Sequence, residues 1–211
     1  MTDHVILLHG LWMRGAAMGV LCRRLTPHGY AFQEFTYPTI TGSLADATTA
    51  LGAFVDSVPG ETVHLVGHSL GGVLICALLE RSLPERIGRV VCLGSPLRGS
   101  KTAARLLRWP GGRHFVGKCL GDVHARGGFE AWRAGVEVGS IAGRMPFGVG
   151  RLLGPFPEPN DGTVAVDETR IAGFKDHIVL PVSHVALLWS AQAAAQVAHF
   201  LESGRFRHES A

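Results

Sequence analysis

The chain has 211 residues, of which 46% are apolar and 18% charged, with mean hydropathy +0.21 and net charge +3. This is the composition of one compact globular domain with a sizeable core; it excludes a disordered chain, and no apolar run approaches the length needed to span a bilayer.

Short apolar runs alternate with longer helical patterns. Val5–Leu8 is expected as the first strand and Ala16–Leu25 as a helix closed by Pro27. Ala31–Phe35 follows as a strand, and Ser43 caps a helix running to Val58 and stopped by Pro59-Gly60. Thr62–Val66 is a third strand, followed by a helix to about Leu83. Arg89–Leu93, Val136–Ile141 and Ile178–Pro181 complete six strands, and a last helix spans Leu187 to Ser203. Strands alternating with helices of this length predict an α/β architecture: a mostly parallel sheet of about six strands with helices on both faces. Residues 1–211 are expected as a single domain. Leu97–Gly135 interrupts the alternation as a helical insertion, and a second Gly/Pro-rich loop runs from Gly143 to Pro159.

Gly67-His68-Ser69-Leu70-Gly71 lies between the third strand and its helix. A strand that breaks into a helix through G-x-S-x-G lifts a serine hydroxyl clear of the sheet, because the serine takes a strained positive φ that flanking side chains would crowd. In a chain with 28 glycines, chance supplies this pattern in about one sequence in five, so the flanking strand and helix carry the weight. The competing reading is an ordinary turn with a capping serine.

A serine hydroxyl is a poor nucleophile without a base and a carboxylate to orient that base. In open α/β sheets such groups gather beyond the carboxyl ends of the strands. His184 stands there, just past Ile178–Val182 and before the last helix; His64, His199, His114, His124 and His177 lie within strands, helices or the insertion. For the carboxylate, Asp161 in Pro159-Asn-Asp-Gly-Thr-Val164 is favoured because a D-G turn projects it and the order Ser, Asp, His suits this elbow; Asp167 and Glu158 are the alternatives. The N–H groups of Leu70 and of Leu11, in the loop His9-Gly10-Leu11-Trp12, are expected to form an oxyanion hole. Trp12 and Met13, with Leu11 and Leu70, suggest a substrate pocket of hydrocarbon character.

Together and in this order, His9-Gly10-Leu11, Gly67-His-Ser-Leu-Gly-Gly72, Gly94-Ser-Pro-Leu-Arg-Gly-Ser100, Asp161-Gly-Thr-Val164 and Ser183-His184 resemble the α/β-hydrolase superfamily, and more closely its small bacterial lipases and esterases. The resemblance implies a serine hydrolase cleaving carboxylic esters through Ser69, Asp161 and His184, without metal or organic cofactor. It departs from the family at Leu97, where lipases often place histidine, and in lacking the strands many members carry before the first one here. A thioesterase or acyltransferase would use the same triad, a cofactor-free haloperoxidase or lyase is a more distant reading, and a ligand-binding domain that lost the chemistry is the rival outside enzymes.

Residues 97–135 hold eight basic residues against Asp122 and Glu130, a net +6 that leaves −3 for the rest. Such a segment is either a solvated helical face or an edge that attracts an acidic substrate or an anionic lipid surface. Aromatics do not interleave with the charges as nucleic-acid binding requires; the partner that the resemblance implies is a small acyl ester or lipid-like molecule. Cys22, Cys76, Cys92 and Cys119 are widely spaced without metal-site patterns, and no disulfide is expected. With no basic region and signal core after Met1, the expected location is cytoplasmic, with no membrane anchor.

Overall fold

A computed structural model describes residues 3–82, 84–133, 135–148 and 158–208. Six strands form one parallel sheet: β1 (His4–Leu8), β2 (Ala31–Phe35), β3 (Val63–His68), β4 (Ile87–Leu93), β5 (Val138–Gly143) and β6 (Asp176–Leu180), in the order β2-β1-β3-β4-β5-β6. The helices are α1 (Gly19–Leu25), α2 (Leu44–Ser57), α3 (Leu70–Arg81), α4 (Lys101–Leu107), α5 (Gly112–Arg126) and α6 (Ala191–Ser203).

The period-two alternation of the strands divides the apolar residues between two cores. Ile6, Leu8, Val63, Leu65, Val90 and Cys92 face α2, α3, α4 and α5, whereas Val5, Leu7, Val66, Val91 and Leu93 face α1 and α6. Central strands buried on both faces read as continuous apolar runs, as parallel strands do.

Several boundaries differ from expectation for local reasons. Residues Gly15–Met18 form a 3-10 turn, so α1 starts at Gly19. β5 begins at Val138 because the Val136 carbonyl accepts the indole N–H of Trp132 at 3.0 Å. β6 begins at Asp176, its polar first residues tolerated on an edge strand, and stops before Pro181, which has no N–H to donate. Ser190 caps α6 by accepting from Ala193 N at 3.1 Å, so Leu187 belongs instead to a separate 3-10 turn, Val185–Leu188. The end expected for α3, Leu83, lies outside the described residues, as does most of the loop expected from Gly143 to Pro159.

The segment after β4 forms a helical hairpin. Ser100 caps α4, α5 kinks at Gly117 (φ 69°, ψ 172°), and Phe129 N closes the excursion by donating to Leu97 O at 2.7 Å. Leu97 is fully buried in the core. Among the described residues no helix is long and apolar enough to cross a membrane.

Candidate active site

At the end of β3 the chain reverses into α3 within one residue. Ser69 sits at φ 54°, ψ −120°, and Trp12 is the only other non-glycine residue among those described with positive φ. A left-handed conformation at a non-glycine residue is strained and persists only where its surroundings enforce it. Here both motif glycines do so: a Cβ on Gly67 would meet Gly72 N at 2.4 Å, and one on Gly71 would meet Leu8 O at 2.5 Å. Ser69 N donates to Leu93 O at 2.8 Å, fixing the elbow against β4. The Ser69 side chain makes no capping hydrogen bond, so a mere capping role does not describe it.

Beyond β5 and β6, Asp161 and His184 meet. His184 Nδ1 and Asp161 Oδ2 are 2.7 Å apart, with Asp161 1% and His184 7% exposed. The other carboxylate oxygen, Oδ1, accepts from Thr163 N at 2.9 Å and Val164 N at 2.7 Å, and His184 N donates to Asp161 O at 2.9 Å. The Asp161-Gly162 turn therefore does form, and its own N–H groups aim the carboxylate. The other carboxylates point elsewhere: Lys101 Nζ is 2.6 Å from Glu158 and 3.1 Å from Asp167.

Ser69 and the Asp161–His184 pair flank the carboxyl end of β4. Gly94, next to the Leu93 carbonyl that Ser69 binds, presents its Cα to the pair: a Cβ there would lie 3.1 Å from both Asp161 Oδ2 and His184 Nδ1. The hydrogen bond from Ser69 Oγ to His184 Nε2 is not formed. Triad contacts often tighten only when substrate binds.

His68, for which no role was expected, also touches the pair. Its Nε2 lies 3.0 Å from the carbonyl oxygen of His184, and the two rings are 4.7 Å apart. Burial, together with the neighbouring His184, pushes the His68 pKa down to about 3, so its ring is neutral. Nε2 therefore carries the proton it donates, while Nδ1 is buried without a partner. His9 forms the other wall; it stacks on Tyr37 at 4.8 Å, and its carbonyl accepts the Tyr37 hydroxyl at 3.0 Å. Burial lowers the pKa of His9 as well.

These contacts anchor the loop after β1. A Cβ on Gly10 would meet Ser69 Cβ at 3.0 Å, so the loop runs directly over the serine. Leu11 N–H has no hydrogen-bond partner among the described residues, and Leu70 opens α3, where the first N–H groups lack helical acceptors. Trp12, 52% exposed, and Met13 line a groove of about 450 Å³ with Tyr37, Pro38 and Ile40. Met13 also packs against the core on the α1 side.

The sequence matches the model of the alpha/beta hydrolase fold family over residues 23–112. No curated protein matches it significantly in sequence. Among solved structures, the mature form of the lipase BlEst2 of Bacillus licheniformis aligns with TM-score 0.77 at 17% identity, over 96% of this chain and 92% of its own. The metagenomic carboxyl esterase MGS0156 aligns with TM-score 0.69 at 19% identity over 95% and 75%. Carboxylesterase CesB of Bacillus subtilis aligns with TM-score 0.62 at 17% identity over 96% and 84%. The chain has the α/β-hydrolase fold and resembles bacterial lipases and esterases in structure.

Proposed function

We propose that the protein is a serine hydrolase of carboxylic esters. The observation that carries this reading is the buried 2.7 Å contact between His184 Nδ1 and Asp161 Oδ2, beside a serine held at positive φ. An aspartate on Nδ1 leaves Nε2 as the basic nitrogen, fixes the tautomer and stabilises the imidazolium. His184 Nε2 takes the proton of Ser69 Oγ as that oxygen bonds to the ester carbonyl carbon. The N–H groups of Leu11 and Leu70 hold the resulting oxyanion, and loss of one such donor costs about 3 kcal/mol of barrier. Collapse breaks the bond to the alcohol oxygen, which leaves with the proton from His184. Water, deprotonated by His184, then attacks the acyl-enzyme, and the acid departs as Ser69 regains its proton.

The groove beside Trp12 and Met13 takes the apolar part of a small acyl ester or lipid-like substrate. The reaction draws on side chains, backbone N–H groups and water, and this reading fits a cytoplasmic enzyme acting on small molecules.

A fluorophosphonate probe is the direct test. It should label the wild type at Ser69 under native conditions and leave Ser69→Ala unlabelled; a folded wild type that takes no label would make the chain a binding domain. p-Nitrophenyl esters and acyl-CoA thioesters of graded length, run on the same pair, separate ester hydrolysis from thioester hydrolysis.

A further inference from the structure

The tip of the hairpin between α4 and α5 has no part in the chemistry above, and its surface is unusual. From Leu97 to Gly121 the chain holds six basic residues and no carboxylate. Lys101 is paired with Glu158 and Asp167, but among the described residues Arg108 and Arg113 enter no ion pair. Between these two arginines and just beyond them, Trp109 is 56% and Phe115 59% exposed, with His114 and Lys118 exposed alongside. Exposed aromatic rings next to unpaired guanidinium groups are poorly served by water alone.

The tip stands at the rim of the candidate site. Lys118 N donates to Ile40 O at 2.7 Å, and the hydroxyl oxygen of Thr39, the residue before Ile40, accepts from Trp12 N at 3.4 Å. Ile40 lines both the groove under Arg113 and Lys118 and the groove beside Trp12 and Arg14. Cationic groups and exposed aromatic rings thus continue along one edge, from the hairpin turn to the mouth of the site.

We propose that this tip docks the protein on an anionic lipid surface. Arg108, Arg113 and Lys118 pair with phosphate headgroups while the rings of Trp109 and Phe115 enter the interfacial layer. The match is one of charge and shape. A convex turn with two aromatic rings suits a soft, planar, negatively charged surface. A nucleic-acid strand instead requires a positively charged groove that tracks its backbone, with successive bases stacked on side chains. Docking is read without turnover, so this proposal and the assignment as an ester hydrolase fail separately.

The test is co-sedimentation of the full chain with vesicles of phosphatidylcholine, alone or with about one third phosphatidylglycerol. The expected result is binding to the anionic vesicles only, weakening as salt is raised, with a blue shift in tryptophan emission that Trp109→Phe abolishes. Arg108→Glu with Arg113→Glu should weaken binding by more than about tenfold, since each basic residue near such a surface contributes appreciably. Trp109→Ala should weaken it at unchanged salt dependence. All three positions are exposed, and unchanged melting temperature and p-nitrophenyl ester turnover would show that the variants fold. Equal binding to both vesicle types, no binding, or full retention by the double arginine variant would overturn the proposal. So would tighter binding to a single-stranded oligonucleotide than to vesicles at equal phosphate concentration.

Discussion

His68 Nε2 donates to the carbonyl oxygen of His184 across 3.0 Å, so the residue preceding the proposed nucleophile holds the backbone of its proposed base. The contact joins β3 to the loop after β6 and is made wholly in the interior. A charged His68 would oppose the imidazolium that forms on His184 during turnover, and the burial that keeps its ring neutral removes that conflict.

Substitution at His68 should therefore act through position rather than through substrate contact. His68→Ala leaves the His184 carbonyl without its donor, a loss of about 1–3 kcal/mol. We expect kcat to fall at nearly constant KM. His68→Gln, whose amide can donate to the same oxygen, should recover part of it. A change confined to KM in both variants would contradict this role.

The carboxylates are separable by activity. Asp161→Asn removes the acceptor on His184 Nδ1 and should lower kcat on the order of 10³-fold or more. Asp167→Asn removes one arm of the exposed Lys101 pair and should leave turnover within about twofold, because such pairs contribute little. Reversal of this order in steady-state assays would assign the acid to Asp167.

Two glycines should respond in opposite directions. Gly71→Ala drives a methyl group into the backbone of Leu8 and His9, at 2.5 and 2.9 Å, and should cost about 1–3 kcal/mol or more. A Cβ on Gly121, inside α5, meets nothing within 4 Å. Gly121→Ala should therefore stabilise the fold by about 0.5–1 kcal/mol. Urea titrations of both variants check the pair.

Three groups carry much of the pH dependence of stability, and His9 and His64, which burial also lowers, act in the same sense as the two histidines among them. Burial lowers His68 from 6.5 to about 3 and His177 from 6.5 to about 4, while it raises Glu168 from 4.5 to about 7. The contribution of each histidine is present above about pH 6.5 and is lost on acidification, because the unfolded chain takes up a proton that the folded chain refuses. The contribution of Glu168 runs the other way; it is present below its unfolded value and is lost as pH rises through about 7. Counting these three groups, near pH 5.5 the unfolded chain holds about two protons and the folded chain about one, so stability should fall by up to about 1.4 kcal/mol per unit of acidification. Glu168→Gln should steepen that slope and His177→Gln should flatten it. Identical slopes in all three proteins would contradict these assignments.

The centre of the sheet was legible in the sequence because β1 and β3 are buried on both faces: Val5–Leu8 reads as an unbroken apolar run, and Thr62–Val66 as one interrupted by His64. β6 was less so: an edge strand admits Asp176 and His177, which carry no apolar signal. The onset of α6 was misjudged because Leu187 and Leu188 are buried like helix residues, although the N-cap at Ser190 marks the true start. Of the candidate site, Ser69, Asp161 and His184 were singled out in the sequence because each lies in a loop after a strand and carries a chemically apt group, and the structure brings Asp161 and His184 into contact. His68 was not, since its partner is 116 residues away and is a backbone oxygen. No side-chain pattern announces such a bond.

Glu168 has a mechanical consequence. One of its oxygens receives Lys101 N, at the start of α4, across 2.5 Å; the other receives Ala165 N, four residues beyond Asp161, across 2.7 Å. The Thr102 hydroxyl, donating to the Thr163 carbonyl, adds a second fastening between the same two segments. The first helix of the hairpin, seven residues long, is thus tied at its start to the turn whose N–H groups hold the Asp161 carboxylate, so the hairpin and that turn share one set of fastenings.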